Sequence, residues 1–198
     1  MTHDVKWRVA TKDDTRYMQS FTCTSSSKKR GRAEVSFEYE VQAFFRKFAI
    51  PQVNQAKNDG LDGRLVIAED EKGIAAAYAH RLLEPNEYRE IGVEVPPGCP
   101  VRELCFLAVA ERYRAPRGKL PGLSFTPGAM ADESVNEALW DIKDRAAESP
   151  RVYVTGLVDY RNAASMRMLT RNGFDEVSRG CPPPRGDSRL GRWMRILR

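Results

Sequence analysis

Residues 154–174 read VTGLVDYRNAASMRMLTRNGF, the most informative stretch of the chain. The apolar run around Gly156 is typical of a strand, and a glycine inside a strand marks a kink or the close approach of another backbone. Asn162 is a residue that caps helices, and Gly173 stands where helix C-termini favour glycine. The stretch therefore predicts a strand over Arg151–Val158, a helix that begins at Asn162 and ends before Gly173, and a second strand.

Five further strands are predicted on either side of that unit. Val101–Ala110 is nearly continuously apolar after Glu103, as expected of a strand covered on both faces. Arg64–Glu69 and Ile74–Leu82 flank a turn and indicate a β-hairpin. The seven predicted strands are Val5–Ala10, Arg64–Glu69, Ile74–Leu82, Val101–Ala110, Arg151–Val158, Phe174–Ser178 and Arg192–Leu197.

Helices are predicted between these strands, and prolines mark where they stop. A first helix opens near Thr11, a second follows from apolar residues at helical spacing between Val41 and Phe48, and a third covers Asp132–Glu148. Leu83–Pro100 and Glu111–Met130 are rich in proline and are predicted to be irregular. The order indicates one α/β domain over residues 1–198, a mixed β-sheet flanked by helices.

The charge of the chain is unevenly distributed. The net charge is +5, with 32 Lys and Arg against 27 Asp and Glu. Residues 161–198 hold nine arginines and three acids, so the remaining 160 residues carry about −1. A second basic cluster, Lys28–Arg32, follows Ser25–Ser27 in a predicted loop. The two clusters raise the question of a polyanionic partner such as nucleic acid.

Cysteine, histidine and apolar runs exclude several classes of protein. Cys23, Cys99, Cys105 and Cys181 show no metal-binding spacing, and His3 and His80 stand apart, so no metal site is predicted. Cys105 lies in the apolar strand and is expected to be buried. The longest apolar runs are far shorter than the ~18 residues of a membrane span. The N-terminus does not have the pattern of a signal peptide, and we expect a cytoplasmic protein.

Two segments resemble the GNAT superfamily of acyl-CoA-dependent N-acyltransferases. Residues 103–114, ELCFLAVAERYR, are similar to the fourth strand of the family and its entry into the pyrophosphate loop. Residues 154–174 are similar to the fifth strand, the Asn-x-x-Ala/Ser helix start and the terminal Gly-Phe. The resemblance implies a GNAT-like sheet whose central strands splay apart around acetyl-CoA, and an N-acetyltransferase that uses direct transfer.

The resemblance also assigns roles to residues of the fourth strand. The pantetheine arm of acetyl-CoA would pair with the strand edge at Leu107 and Val109, and a backbone N–H near Val109 would polarise the thioester carbonyl. Glu103 stands six residues before Val109, the spacing of the glutamate base in one subset of the family. That glutamate would take the proton of the amine. Asn162 and Ser165, at the helix start, would also contact the cofactor.

The sequence departs from the family in the pyrophosphate loop. The family pattern is Arg/Gln-x-x-Gly-x-Gly/Ala, which Arg114 begins, but Arg117 and Lys119 occupy both glycine positions and Gly118 lies between them. Side-chain charge from Arg112, Arg114 and Arg117 could replace the backbone donors. The alternative is that this loop does not bind coenzyme A in the usual way.

The general acid and the acceptor stay open at this stage. Leu169 occupies the position where the family often has a tyrosine, which leaves Tyr160 as the candidate acid and Tyr113 as a second choice. Glu103 could instead be a structural residue paired with Arg102 or Arg151. The expected acceptor is a primary amine of a small molecule or a protein, and the family suggests a homodimer. The alternatives are a tRNA-directed acetyltransferase and a non-catalytic binding protein on the same fold.

Overall fold

The computed structural model describes residues 5–24, 33–47, 62–90, 94–114, 128–179 and 189–198. The strands in these ranges are β1 Lys6–Val9, β2 Arg64–Asp70, β3 Gly73–Leu82, β4 Val101–Val109, β5 Val152–Asp159, β6 Asp175–Arg179 and β7 Leu190–Leu197. The helices are α1 Thr15–Ser20, α2 Ala33–Lys47, α3 Pro85–Glu90, α4 Ala129–Arg145 and α5 Ala163–Arg171. Each of the seven predicted strands is confirmed.

The strands form one mixed sheet in the order β1-β2-β3-β4-β5-β7-β6. Among the described residues, β4 and β5 pair in parallel and the other neighbours pair antiparallel. A parallel pair needs a crossover between its strands, and α4 lies in this one. The predicted α/β fold, a mixed sheet flanked by helices, is therefore confirmed.

Helices cover both faces of the sheet, as the packing of alternate side chains along β4 shows. Phe106 and Ala108 pack with Met18, Phe21 and Phe45 of the segment around α1 and α2. Leu107 packs instead into a cluster of α4, β5 and α5 residues, and Leu104 packs with Ala138 of α4. Successive residues of a strand point to opposite faces, so α1 and α2 lie on one face and α4 and α5 on the other.

Two helix predictions need correction. The segment Leu83–Pro100 was expected to be irregular, but it contains α3, because Pro85 begins the helix where the missing N–H and fixed φ of proline are tolerated. The helix predicted from Asp132 begins three residues earlier at Ala129, where Met130 is buried, and it ends at Arg145. None of the helices in the described ranges has the length and apolar character needed to cross a bilayer.

Candidate active site

β4 and β5 separate after three paired residues. Val101, Arg102 and Glu103 face Tyr153, Val154 and Thr155, and no later pair joins the two strands in the described part of the chain. β4 nevertheless continues to Val109 and stays paired with β3, and β5 continues to Asp159 and stays paired with β7. The result is a split in the middle of the sheet, which confirms the predicted splay of the central strands.

A β-bulge lies next to the start of this split. Ala79 pairs with Phe106 and His80 pairs with Leu104, so Cys105 is an extra residue on β4. A bulge bends its strand and increases the local twist, which helps β4 to turn away from β5. Cys105 is exposed. The expectation of a buried thiol is therefore wrong, because the bulge takes this side chain out of the regular alternation of the strand.

The backbone of β4 presents hydrogen-bonding groups to the split. The N–H of Ala110 donates to the carbonyl of Ala75 at 2.8 Å, and hydrogen-bonded and non-hydrogen-bonded pairs alternate in an antiparallel ladder. Ala108 therefore directs its N–H and C=O at β3, whereas Leu107 and Val109 direct theirs at the open side. An extended chain can pair with such an edge.

The N-terminus of α4 lies across the two sides of the split. Met130, 1% exposed, packs with a cluster that includes Val109 of β4. The neighbouring Ala131 packs against the cluster of α4, β5 and α5 residues. The first N–H groups of a helix have no intrahelical acceptor and, with the helix dipole, favour an anion. Sequence reasoning missed this helix end, although Pro127-Gly128 directly before it is a recognisable turn signal.

Glu103 lies where the split begins and forms an ion pair. It is 7% exposed and stands opposite Arg81 of β3, whose Nη2 lies 3.1 Å from its Oε2. The arginine that the structure pairs with Glu103 is thus Arg81, whereas Arg102 contacts His80 and Asp62 on the other face of the sheet. Arg81 in turn contacts Glu87 of α3 at 2.7 Å. The sequence did not point to Arg81 or Glu87, because their proximity to Glu103 depends on the register between β3 and β4.

Tyr160 lies away from Glu103. Its hydroxyl donates to Glu176 of β6 at 3.0 Å, and its ring lies over Gly191 of β7. Glu176 pairs with Trp193, which packs on the α4 and α5 face. Glu103 points to the opposite face, since its neighbour Leu104 packs on α4. The structure therefore does not bring the two predicted catalytic residues together.

The arginines predicted to hold phosphate have partners within the chain. Arg112 contacts Asp70 through Nε at 3.0 Å and Nη2 at 2.8 Å, and Nη2 also donates to the carbonyl of Gly73. Arg114 donates to the carbonyl of Cys23 at 2.9 Å. Arg117 and Gly118 lie outside the described residues. The described part of the loop thus ties β4 to the β2–β3 turn and to the segment after α1.

Tyr113, the second candidate acid, belongs to the same contact. Its hydroxyl donates to Asp70 at 2.7 Å. Burial and this hydrogen bond raise the pKa of Tyr113 to about 12. Such a hydroxyl is a weaker proton donor than an ordinary tyrosine.

Asn162 and Ser165 form the start of α5, as predicted. Asn162 Oδ1 accepts a hydrogen bond from the N–H of Ser165 at 3.1 Å, which is the geometry of an N-cap. α5 follows directly after the C-terminal end of β5. Leu169, the residue at the usual tyrosine position, is 3% exposed and lies in the core.

A buried polar network braces the other side of β4. His80, 1% exposed, accepts a hydrogen bond from Arg102 Nε on Nδ1 at 3.1 Å, and its Nε2 lies 2.8 Å from Asp141 of α4. Arg64 of β2 contacts Asp141 at 2.7 Å, and Arg102 also contacts Asp62. Burial, together with the charge of Arg102, lowers the pKa of His80 below its usual range. His80 is therefore a neutral ring that carries its proton on Nε2 and donates to Asp141.

The fold is similar to those of several solved N-acetyltransferase structures. PaiA N-acetyltransferase of Thermoplasma acidophilum, in complex with coenzyme A, has a TM-score of 0.60 at 10% identity, over 98% of this chain and 100% of that one. A ribosomal-protein-alanine N-acetyltransferase of Brucella melitensis has a TM-score of 0.57 at 16% identity, over 97% and 99%. NAA60 of Arabidopsis thaliana, in complex with a bisubstrate analogue, has a TM-score of 0.57 at 12% identity, over 97% of each chain.

These likenesses show the fold, which is that of the GNAT N-acetyltransferases. No protein-family model matches the sequence, and no curated protein matches it.

Proposed function

We propose that this protein is an N-acetyltransferase that moves the acetyl group of acetyl-CoA to a primary amine by direct transfer. The observation that carries the proposal is the split between β4 and β5, with backbone groups of Leu107 and Val109 on its open edge and Glu103 at its start. A fold alone does not fix a function. Here the same split also lies beside an ionisable side chain and an edge of β4 with which no described strand pairs.

The residues around the split fit a coenzyme A thioester. The peptide groups of Leu107 and Val109 would pair with the amides of the pantetheine arm. Gly156 lies on the opposite side close to β4, since a Cβ there would be in van der Waals contact with the carbonyl oxygen of Leu104 at 3.7 Å. The first turn of α4 would hold the pyrophosphate in place of Arg112, which is already bound to Asp70.

Acetyl-CoA supplies an activated acetyl group, and the C–S bond breaks as the amine nitrogen forms its bond to the carbonyl carbon. Glu103 accepts the proton that the amine must lose, since a free amine has a pKa near 10. The N–H of Val109 donates to the carbonyl oxygen as negative charge develops there. A thiol has a pKa of about 8.5 and leaves readily as a thiolate. The proposed step therefore does not require Tyr160, whose role as general acid stays a prediction.

An acetyl-transfer assay tests the proposal. The protein is incubated with acetyl-CoA and a panel of polyamines, amino acids, aminoglycosides and peptides, and mass spectrometry detects products heavier by one acetyl group. We expect at least one acetylated amine together with an equal amount of free coenzyme A. Saturable binding of acetyl-CoA with no product from any amine would favour the non-catalytic alternative instead. The acceptor, the homodimer and the compartment stay predictions.

A further inference from the structure

Glu103 is held in a row of three charged side chains. Arg81 reaches Glu103 Oε2 with Nε at 3.2 Å and with Nη2 at 3.1 Å. The same guanidinium reaches Glu87 with Nη2 at 2.7 Å and with Nη1 at 3.3 Å. One arginine thus bridges two carboxylates that come from a strand and from a helix.

Two elements of the fold place these side chains: β4 carries Glu103 on one side of Arg81, and α3 carries Glu87 on the other. Arg81 stands directly opposite Glu103 in the β3–β4 register. α3 begins three residues after β3 and brings Glu87 back over Arg81. Glu87 is fixed in turn, since its Oε2 also accepts the N–H of Glu84 at 2.9 Å. The position of Arg81 is therefore set at both ends, and it does not depend on a single contact.

Burial makes these contacts matter for Glu103. A carboxylate that is 7% exposed loses most of its hydration, and a buried charge is stable only when it is paired and hydrogen-bonded. A guanidinium presents its donors in a rigid fork, so it fixes the orientation of a carboxylate as well as its charge. Burial by itself would lower the pKa of Arg81. The hydrogen bond to Glu87 and the charges of Glu103 and Glu87 outweigh this effect and raise the pKa above its usual value.

We infer that Arg81 is a positioning residue, which holds the Glu103 carboxylate in a fixed orientation at the start of the split, and that Glu87 keeps Arg81 in place. The inference rests on the proposed function, in which Glu103 is the base. Arg81 itself does not touch the reacting atoms.

A purely structural role for Arg81 would give different measurements. Loss of a structural ion pair lowers the melting temperature and leaves the rate of the folded enzyme unchanged. Loss of a positioning contact lowers kcat, because a carboxylate displaced by about 1 Å costs up to ~100-fold in rate. The chain offers a matched control in Arg8, which also bridges two carboxylates, Asp14 at 2.6 Å and Glu69 at 2.7 Å, at the far edge of the sheet.

The experiment compares R81Q, R81K, E87Q and the control R8Q with the wild-type protein. We measure kcat and KM with the best amine of the panel, the Kd for acetyl-CoA, and the melting temperature. We expect R81Q to lower kcat by about 10- to 100-fold with an unchanged Kd for acetyl-CoA. R81K should restore part of the loss, and E87Q should have a smaller effect. R8Q should lower the melting temperature alone.

A crystal structure of R81Q adds a readout that needs no acceptor, and it should show the Glu103 carboxylate in a new or mixed orientation. An unchanged Glu103 in R81Q, or a kcat equal to that of R8Q, would overturn the inference. Failure of the proposed function is recognised separately. In that case E103Q keeps its activity, or no amine is acetylated, while the crystal structure still reports whether Arg81 orients Glu103.

Discussion

Glu103 of β4 and Thr155 of β5 form the last residue pair between these two strands. Beyond this pair each strand keeps its outer neighbour, so the sheet opens without losing the hydrogen bonds that hold each half. Thr155 is fully buried and accepts a hydrogen bond from Arg192 of β7 at 3.0 Å. The start of the split is thus firmly built on both sides, and it is where we place the transfer chemistry.

Replacing Glu103 by Gln should lower the rate of acetyl transfer by about 100-fold or more near neutral pH, because the amide cannot accept the proton of the amine. The difference from wild type should shrink as the pH approaches 10, where about half of the free amine is already deprotonated. Initial rates between pH 6 and pH 10 measure this. If the two pH–rate profiles have the same shape, Glu103 is not the base.

Gly156 is the first residue of β5 beyond the last pair, and it lies beside the carbonyl of Leu104. A Cβ would lie 3.7 Å from that oxygen, which is ordinary van der Waals contact. G156A should therefore bind acetyl-CoA almost as the wild type does. G156L should weaken binding by about tenfold or more, a loss near 1.4 kcal/mol, because the larger side chain fills the split. Equal affinities for the two variants would show that the ligand does not pass this residue.

Arg112 should matter for stability and not for acetyl-CoA. Its contacts with Asp70 and with the carbonyl of Gly73 already use the guanidinium, and the aspartate also accepts from Tyr113. R112Q should change the Kd for acetyl-CoA by less than twofold and lower the melting temperature by a few degrees, as an ion pair that is partly exposed contributes about 1 kcal/mol or less. A large loss of affinity for acetyl-CoA in R112Q would indicate that Arg112 binds the pyrophosphate after all.

His80 should make the stability depend on pH. In the unfolded chain its pKa is about 6.5, whereas burial lowers the pKa in the folded protein. The unfolded state therefore binds the proton first, and the free energy of unfolding should fall as the pH drops below about 6.5. Urea unfolding between pH 5 and pH 8 measures the slope for wild type and H80Q, whose amide can still accept from Arg102 and donate to Asp141. Parallel curves for the two proteins would rule out His80 as the titrating group.

Local sequence signals predicted much of the fold. Apolar runs such as Val101–Ala110 found the strands, and the Asn162 cap and Gly173 found the limits of α5. The helix α3 was missed because the prolines around it suggested an irregular segment, although proline suits a first helical turn.

The candidate site was less predictable because distant residues build it. Glu103, Leu107 and Val109 were named from the resemblance to the GNAT family. Arg81, Glu87 and the N-terminus of α4 come near them only through the strand register and the crossover. The C-terminal arginines raised the question of a polyanion, and several have partners within the chain: Arg161 contacts Asp159, Arg171 contacts Asp132, and Arg192 contacts Thr155. Net charge could not reveal these partners.

The central claim is that the split between β4 and β5 holds acetyl-CoA, and isothermal titration of the full chain with acetyl-CoA tests it most directly. We predict saturable binding with one molecule per chain and a Kd between about 1 μM and 1 mM, the usual range for an enzyme and its substrate. G156L should weaken this binding and G156A should not. Absence of saturable binding at millimolar acetyl-CoA would contradict the claim.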